Sequence, residues 1–213
     1  VTTAAREYLA DHAVDFSIAA EAGVTADERE LVYPYVTPDG QPYERRRSFA
    51  DGITRQPKGM ELSLWWPLGH ALGLPAILCE GEADTLAAAS VVVDSDHPAL
   101  RLLCPVGVPG ASFPASRAAD QLGSSAPVYL VMDGDDAGRA SARRIAVELQ
   151  RRGVTSVVCD VGDGCDLSDR LAAMPPDDRE SWLANLLMDH EALLDEGSGD
   201  MMVVDDVRGR LGA

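Results

Sequence analysis

Lysine is almost missing from this chain. Lys58 is the only one, and arginine supplies the rest of 18 basic side chains set against 35 acidic ones, for a net charge of −17 at pH 7. A protein that holds nucleic acid unaided usually offers a basic surface. Such a role here would need bound metal, a local arginine-rich face or a tethered partner; an ordinary acidic soluble protein is the other reading of the charge. Long apolar runs are also lacking. The longest reach about ten residues, well short of a membrane span. The start, Val1-Thr2-Thr3-Ala4-Ala5-Arg6, leads straight into an amphipathic segment with no signal-peptide core, so a cytoplasmic protein is expected. No Cys-x-x-Cys pair occurs. Cys79, Cys104, Cys159 and Cys165 stand singly, and no histidine is spaced to complete a zinc site. Cys79, Cys104 and Cys159 lie in apolar runs and read as buried free thiols, which suits a reducing compartment. His12, His70, His97 and His190 form neither a triad nor a ligand spacing.

What is present is enough apolar residue, 46% of 213, for a mid-sized domain with an appendage. Residues 3–22 carry apolar positions near helical spacing and predict one or two short helices stopped at Gly23. Leu31-Val32-Tyr33-Pro34-Tyr35-Val36 and residues 42–49, joined through Pro38-Asp39-Gly40, predict a β-hairpin. From about residue 75 the pattern changes to short apolar strands (76–79, 102–106, 128–132 and one within 154–161) alternating with helices (82–93, 113–122, 137–152). Such alternation predicts a parallel, doubly wound α/β sheet. A helix over 177–195 and a Gly/Ser/Asp-rich, flexible tail over 196–213 follow.

In sheets of this kind the ligand site lies beyond the carboxyl ends of the strands. Three strands end in acids: Glu80, with Asp84 one helical turn on; Asp133 and Asp135; then Asp166 and Asp169 after the fourth strand. Carboxylates gathered from distant parts of the chain repel one another, and a divalent cation relieves them. All-oxygen donors select hard ions such as Mg²⁺ or Mn²⁺.

Glu80-Gly81-Glu82-Ala83-Asp84 resembles the first motif of TOPRIM domains. Met132-Asp133-Gly134-Asp135-Asp136-Ala137-Gly138-Arg139 is similar to their DxD motif, which opens a helix. Gly164-Cys165-Asp166-Leu167-Ser168-Asp169 resembles their late acidic loop, and Pro105-Val106-Gly107 sits at the intervening strand and glycine turn. Order and spacing resemble the DnaG-type and bacteriophage-type DNA primases. Tyr33-Pro34-Tyr35, Asp39-Gly40 and Arg45-Arg46-Arg47 resemble the hairpin before that domain. The resemblance implies an α/β fold: a TOPRIM domain over 74–174 with a parallel, doubly wound central sheet, preceded by a small α+β segment (1–73) and followed by an acidic helix and tail (175–213).

It further implies a primase-type nucleotidyltransferase that makes short RNA primers on single-stranded DNA from NTPs with Mg²⁺ or Mn²⁺. Asp133, Asp135 and Asp166 would bind metal, with Asp84 and Asp169 supporting that shell or a second ion. Glu80 would be a metal-proximal acid or a general base. Lys58, Arg45, Arg46, Arg47 and Arg139 are candidate contacts for nucleotide or nucleic acid, although Arg139 also reads, and more readily, as a solvated helix face. Trp65 and Trp66 either stack bases or form one core and one boundary residue. No zinc module, helicase domain or Walker A motif is found, so a zinc-binding module or helicase would act in trans or lie outside this chain. Cys165 stands where related primases often carry lysine. A phage, plasmid or integrated mobile element is the setting the resemblance suggests. The alternatives are a TOPRIM metal-dependent nuclease and a non-catalytic metal- or nucleic-acid-binding module. A haloacid-dehalogenase phosphatase fits less well, because Asp136 follows the DxD and no lysine lies downstream. An EF-hand lacks its closing Glu, since Arg144 stands at its twelfth position.

Overall fold

The computed structural model describes residues 2–69 and 73–188. Two four-stranded sheets form its frame. The first is antiparallel, ordered β1 (Thr25–Ala26), β2 (Glu30–Val36), β3 (Pro42–Ser48), β4 (Thr54–Arg55), and follows two helices, α1 (Thr3–Asp11) and α2 (Phe16–Glu21). The β2–β3 pairing is the expected hairpin, in register Tyr33↔Arg45 and Tyr35↔Tyr43. Alternation along its strands turns Leu31, Tyr33, Tyr35, Tyr43 and Arg45 inward.

The second sheet is wholly parallel. Its strands are β5 (Ala76–Glu80), β6 (Cys104–Val108), β7 (Val128–Met132) and β8 (Ser156–Asp160), in the order β6-β5-β7-β8. Helices α3 (Gly81–Val93), α4 (Ala115–Leu122), α5 (Asp136–Arg151), α6 (Leu167–Ala172) and α7 (Pro176–Met188) complete the chain order. The sheet is covered on both faces, which is why β5, β6 and β7 are almost unbroken apolar runs. Leu78, Val106, Leu130 and Met132 pack against α4 and α5. Ile77, Cys79, Val131 and Cys159 face the other way, toward α3, α6 and α7. Ala5, Leu9, Ile18, Leu31 and Tyr33 share that second core, so the N-terminal segment is cored together with the parallel sheet.

Some boundaries differ from expectation for local reasons. The second parallel strand begins at Cys104, because Leu100–Leu102 turns as a 3₁₀ segment. It runs on to Val108 because Trp65 pairs with Gly107 on its free edge, through two hydrogen bonds of 2.8 Å. Trp65 is core, stacked on Tyr35 and donating to the Pro34 carbonyl at 2.8 Å, whereas Trp66 is only partly buried. Helix α6 occupies part of what reads in sequence as an acidic loop, with Asp166 as its N-cap. The helix expected over 177–195 is seen as Pro176–Met188; its remainder, the 196–213 tail and His190 lie outside the described residues, as does His70. No helix among the described residues is long and apolar enough to cross a membrane.

Candidate active site at the carboxyl edge of the parallel sheet

Each acid is delivered by a strand end and a turn. Glu80 closes β5 and is the N-cap residue of α3. Gly81 takes φ 78°, a left-handed turn that glycine accepts readily. Asp84 follows one turn into α3 and is buried, accepting a hydrogen bond from the Ser168 N–H at 2.8 Å. Asp133 follows β7. Asp135 caps α5 by accepting from the Gly138 N–H at 2.7 Å, a capping role that also favours an anion at a helix start. Asp166 caps α6 the same way, accepting from the Asp169 N–H at 2.6 Å and the Ser168 hydroxyl at 3.0 Å. Asp169 sits exposed on the first turn of α6.

The DxD turn lies hard against the loop after β8. Gly134 donates to the Cys165 carbonyl and accepts from the Gly164 N–H, both at 2.8 Å. A Cβ at Gly134 would collide with the Gly162 carbonyl, and one at Gly138 with that of Asp133. Gly134 lets the backbones carrying Asp133 and Asp166 touch, and Gly138 lets the start of α5 pack close against the Asp133 backbone. Arg139 reinforces the turn, donating to the Gly134 carbonyl at 2.6 Å and pairing with Asp163 at 3.2 Å.

The crowding is felt electrostatically. Burial, then the charges of Glu80, Asp166 and Asp135, push the Asp133 carboxyl up to about 7. Burial and the Asp166 charge raise Asp84 well above the carboxylate range, against the Ser168 N–H. Burial raises Glu80 too, opposed by the Ala111 N–H and helped by Asp135. Asp133 Oδ1 and Glu80 Oε2 are buried oxygens without a hydrogen-bond partner. Orphaned buried acceptors are expensive, and a hard divalent cation is the ligand that satisfies them. Among the described residues, no three acidic, histidine or cysteine side chains are already drawn around one point, so the acids are neighbours rather than a closed cage. The donor set fits Mg²⁺ or Mn²⁺: Asp133 and Glu80 offer free oxygens, with Asp135, Asp166 and Asp84 around them.

The basic candidates are distributed differently. Arg45 is buried and ion-paired with Glu82, whose Oε1 also accepts from the Tyr35 hydroxyl at 2.8 Å. Arg46 is exposed and paired with Glu30 and Glu44. Arg47 is half-buried over the Tyr8 ring, 5.1 Å from its centroid. The three therefore do not share one open face. Lys58 is exposed in the loop after β4, with no ion pair among the described residues. Sequence alone does not single out Glu82 or the loop that touches Glu80. The spacing of 82, 85, 86 and 89 on α3, all buried, is the signal that marks Glu82 as inward.

A family model described as Toprim-like matches residues 77–171, the stretch from β5 into α6 that carries all of these acids. Residues 77–171 are a Toprim domain. No curated protein sequence matches the chain, but solved structures do. The zinc-binding and RNA polymerase domains of the Aquifex aeolicus primase superpose with a TM-score of 0.63 at 18% identity, over 92% of this chain and 59% of that one. The primase fragment of the bacteriophage T7 primase-helicase gives 0.63 at 17%, over 83% and 72%. The RNA polymerase domain of Mycobacterium tuberculosis primase DnaG gives 0.58 at 18%, over 87% and 75%. The chain thus spans less than two thirds of the Aquifex structure. At these identities the likeness is one of fold: the Toprim domain and its N-terminal segment together have the fold of DnaG-type and phage primase catalytic domains.

Proposed function

We propose that this chain is the nucleotidyl-transfer part of a DNA primase, making short RNA primers on single-stranded DNA from NTPs with Mg²⁺ or Mn²⁺. The observation that carries this reading is the extent of the fold likeness. It covers 92% of the chain, far more than the Toprim segment, and so includes the N-terminal sheet that a Toprim nuclease has no need to share. The unpartnered oxygens of Asp133 and Glu80 supply the matching chemistry.

In this reading Asp133, Asp135 and Asp166 hold divalent metal, with Asp84 and Asp169 behind them. A divalent ion held by these acids would supply positive charge to neutralise the triphosphate and the charge that develops during nucleotidyl transfer. Glu80, half-buried with one free oxygen, takes the proton from the attacking 3′-hydroxyl or completes the metal shell. Lys58 is the exposed cation for nucleotide or primer. Arg139 acts by holding the DxD turn, with Arg45, Arg46 and Arg47 setting the hairpin rather than reading template. Template would then be held chiefly by a zinc-binding module or a helicase, in trans or elsewhere in a longer protein. The setting is the cytoplasm of a cell that carries a phage, plasmid or mobile element.

The test is extension of a short RNA annealed to single-stranded DNA, with labelled NTPs and Mg²⁺ or Mn²⁺, beside Glu80→Gln and Asp133→Asn. A pre-annealed primer removes the need for template recognition. Extension by wild type alone is the expected result. Shortened DNA without extension moves the reading to a nuclease, and metal binding with neither product to a non-catalytic module.

A further inference from the structure

The loop after β6 bears directly on Glu80. Val108 to Phe113 crosses the carboxyl edge, anchored by the buried Phe113 ring. Within it the Ala111 N–H donates to Glu80 Oε1 at 2.9 Å. The loop's own position is set from outside. Arg144, exposed on α5, donates from Nη2 to the Ala111 carbonyl at 2.8 Å, while Arg45 Nη2 reaches the Pro109 carbonyl at 3.4 Å. Gly110 sits at φ 120°, a conformation with few side-chain restraints of its own.

We propose that Arg144 is a positioning residue for Glu80: it holds Ala111 so that Oε1 is occupied and Oε2 is the one oxygen left to act. Oε2 is the oxygen that is buried and unpartnered. The geometry also explains why the restraint comes from α5. That helix begins at the Asp133–Asp135 turn, and β6 and β7 flank β5 in the sheet. Arg144 therefore joins the loop on one side of Glu80 to the rigid helix that carries the acids on the other. A carboxylate with one oxygen fixed keeps a single orientation, which suits a group that must meet an ion or a hydroxyl at short range. The role assigned to Glu80 rests on the primase reading, while the Arg144–Ala111–Glu80 chain of hydrogen bonds does not.

The test uses the whole chain as wild type, Arg144→Ala, Arg144→Lys and, as a control on the same helix, Arg151→Ala, whose side chain pairs with Glu148. Two measurements need no turnover: the NMR exchange rate of the Ala111 amide, and Mn²⁺ affinity by electron paramagnetic resonance. In Arg144→Ala, Ala111 should exchange about tenfold faster and Mn²⁺ should bind about tenfold more weakly. Arg144→Lys should recover most of both, and Arg151→Ala should match wild type. In primer extension, kcat should fall while KM for nucleotide stays within about twofold, since a misplaced Glu80 affects the transition state more than binding. Unchanged Ala111 exchange in Arg144→Ala overturns the proposal. So does faster exchange with wild-type Mn²⁺ affinity, because the loop would then not position Glu80. A wild-type protein that makes no primer counts against the primase reading, and the two turnover-free measurements still decide the role of Arg144.

Discussion

The arginine-rich strand and the acid-rich sheet edge treat charge in opposite ways. On β3, the Arg45 charge is ion-paired with Glu82, with only its Nε left unpartnered, and Arg46 is paired with Glu30 and Glu44. At the ends of β5 and β7, Glu80 and Asp133 each keep a buried oxygen with no partner. Charges satisfied within the fold are architecture. Charges left unsatisfied, at an energetic cost, mark where a ligand completes the structure. Arg45 and Arg46, which look in sequence like part of a nucleic-acid grip, are thus braced within the fold, and under the proposed function phosphate binding falls to an ion that the acids would hold.

That contrast can be broken at either end. The largest effect is expected at the acidic edge, where Asp133→Asn should lower nucleotidyl transfer by about a thousandfold or more, read by primer extension, while leaving the protein folded. At the brace, Arg45→Met leaves Glu82 buried without its cation and should cost about 4 kcal/mol in urea unfolding. Adding Glu82→Leu should return at least half of that loss. If Arg45→Met instead kept full stability and lost DNA affinity, the division between brace and site would fail. Gly134→Ala should cost about 3 kcal/mol by overpacking against the Gly162 carbonyl and weaken Mn²⁺ binding with it.

Smaller effects sharpen the same picture. The Asp133 carboxyl is pushed up to about 7, above its usual value of roughly 4. The native state therefore binds a proton more tightly than the unfolded chain, and metal-free stability should fall as pH rises through that window, with the penalty absent below it and complete above it. Metal-free protein should melt on the order of 5 °C lower at pH 8 than at pH 5, allowing for solvent screening at a half-buried site. Mg²⁺ should restore the melting temperature at pH 8 and do little at pH 5. The smallest effect belongs to exposed Arg46, where Arg46→Ala should shift the melting midpoint by no more than about 1 °C.

The parts of this molecule readable from sequence are those whose signals are local. Asp133-Gly134-Asp135 announces itself because an apolar strand ends and a capped helix begins within a few residues, and the Tyr33–Arg45 hairpin because a turn joins two alternating runs. Strands β1 and β4 hold two residues each, too few to show a period. Helix α6, at six residues, hides behind its own cap, Asp166. The fate of Arg45 was not legible, because its partner Glu82 lies 37 residues away in sequence and strand alternation says which residues point inward but not what they meet there. Ala111 was still less visible. It contributes backbone groups, an N–H to Glu80 and a carbonyl to Arg144, and a backbone group leaves no mark on the residue type.

Under the proposed function, the buried acceptors of the carboxyl edge are satisfied only when a cation binds. The most direct measurement is Mn²⁺ titration at pH 8, followed by electron paramagnetic resonance, on wild type and Asp133→Asn. Wild type should bind saturably, and the affinity should weaken more than about tenfold in the variant. Equal binding by the two proteins, or no saturable binding by wild type, would contradict a cation site at Asp133.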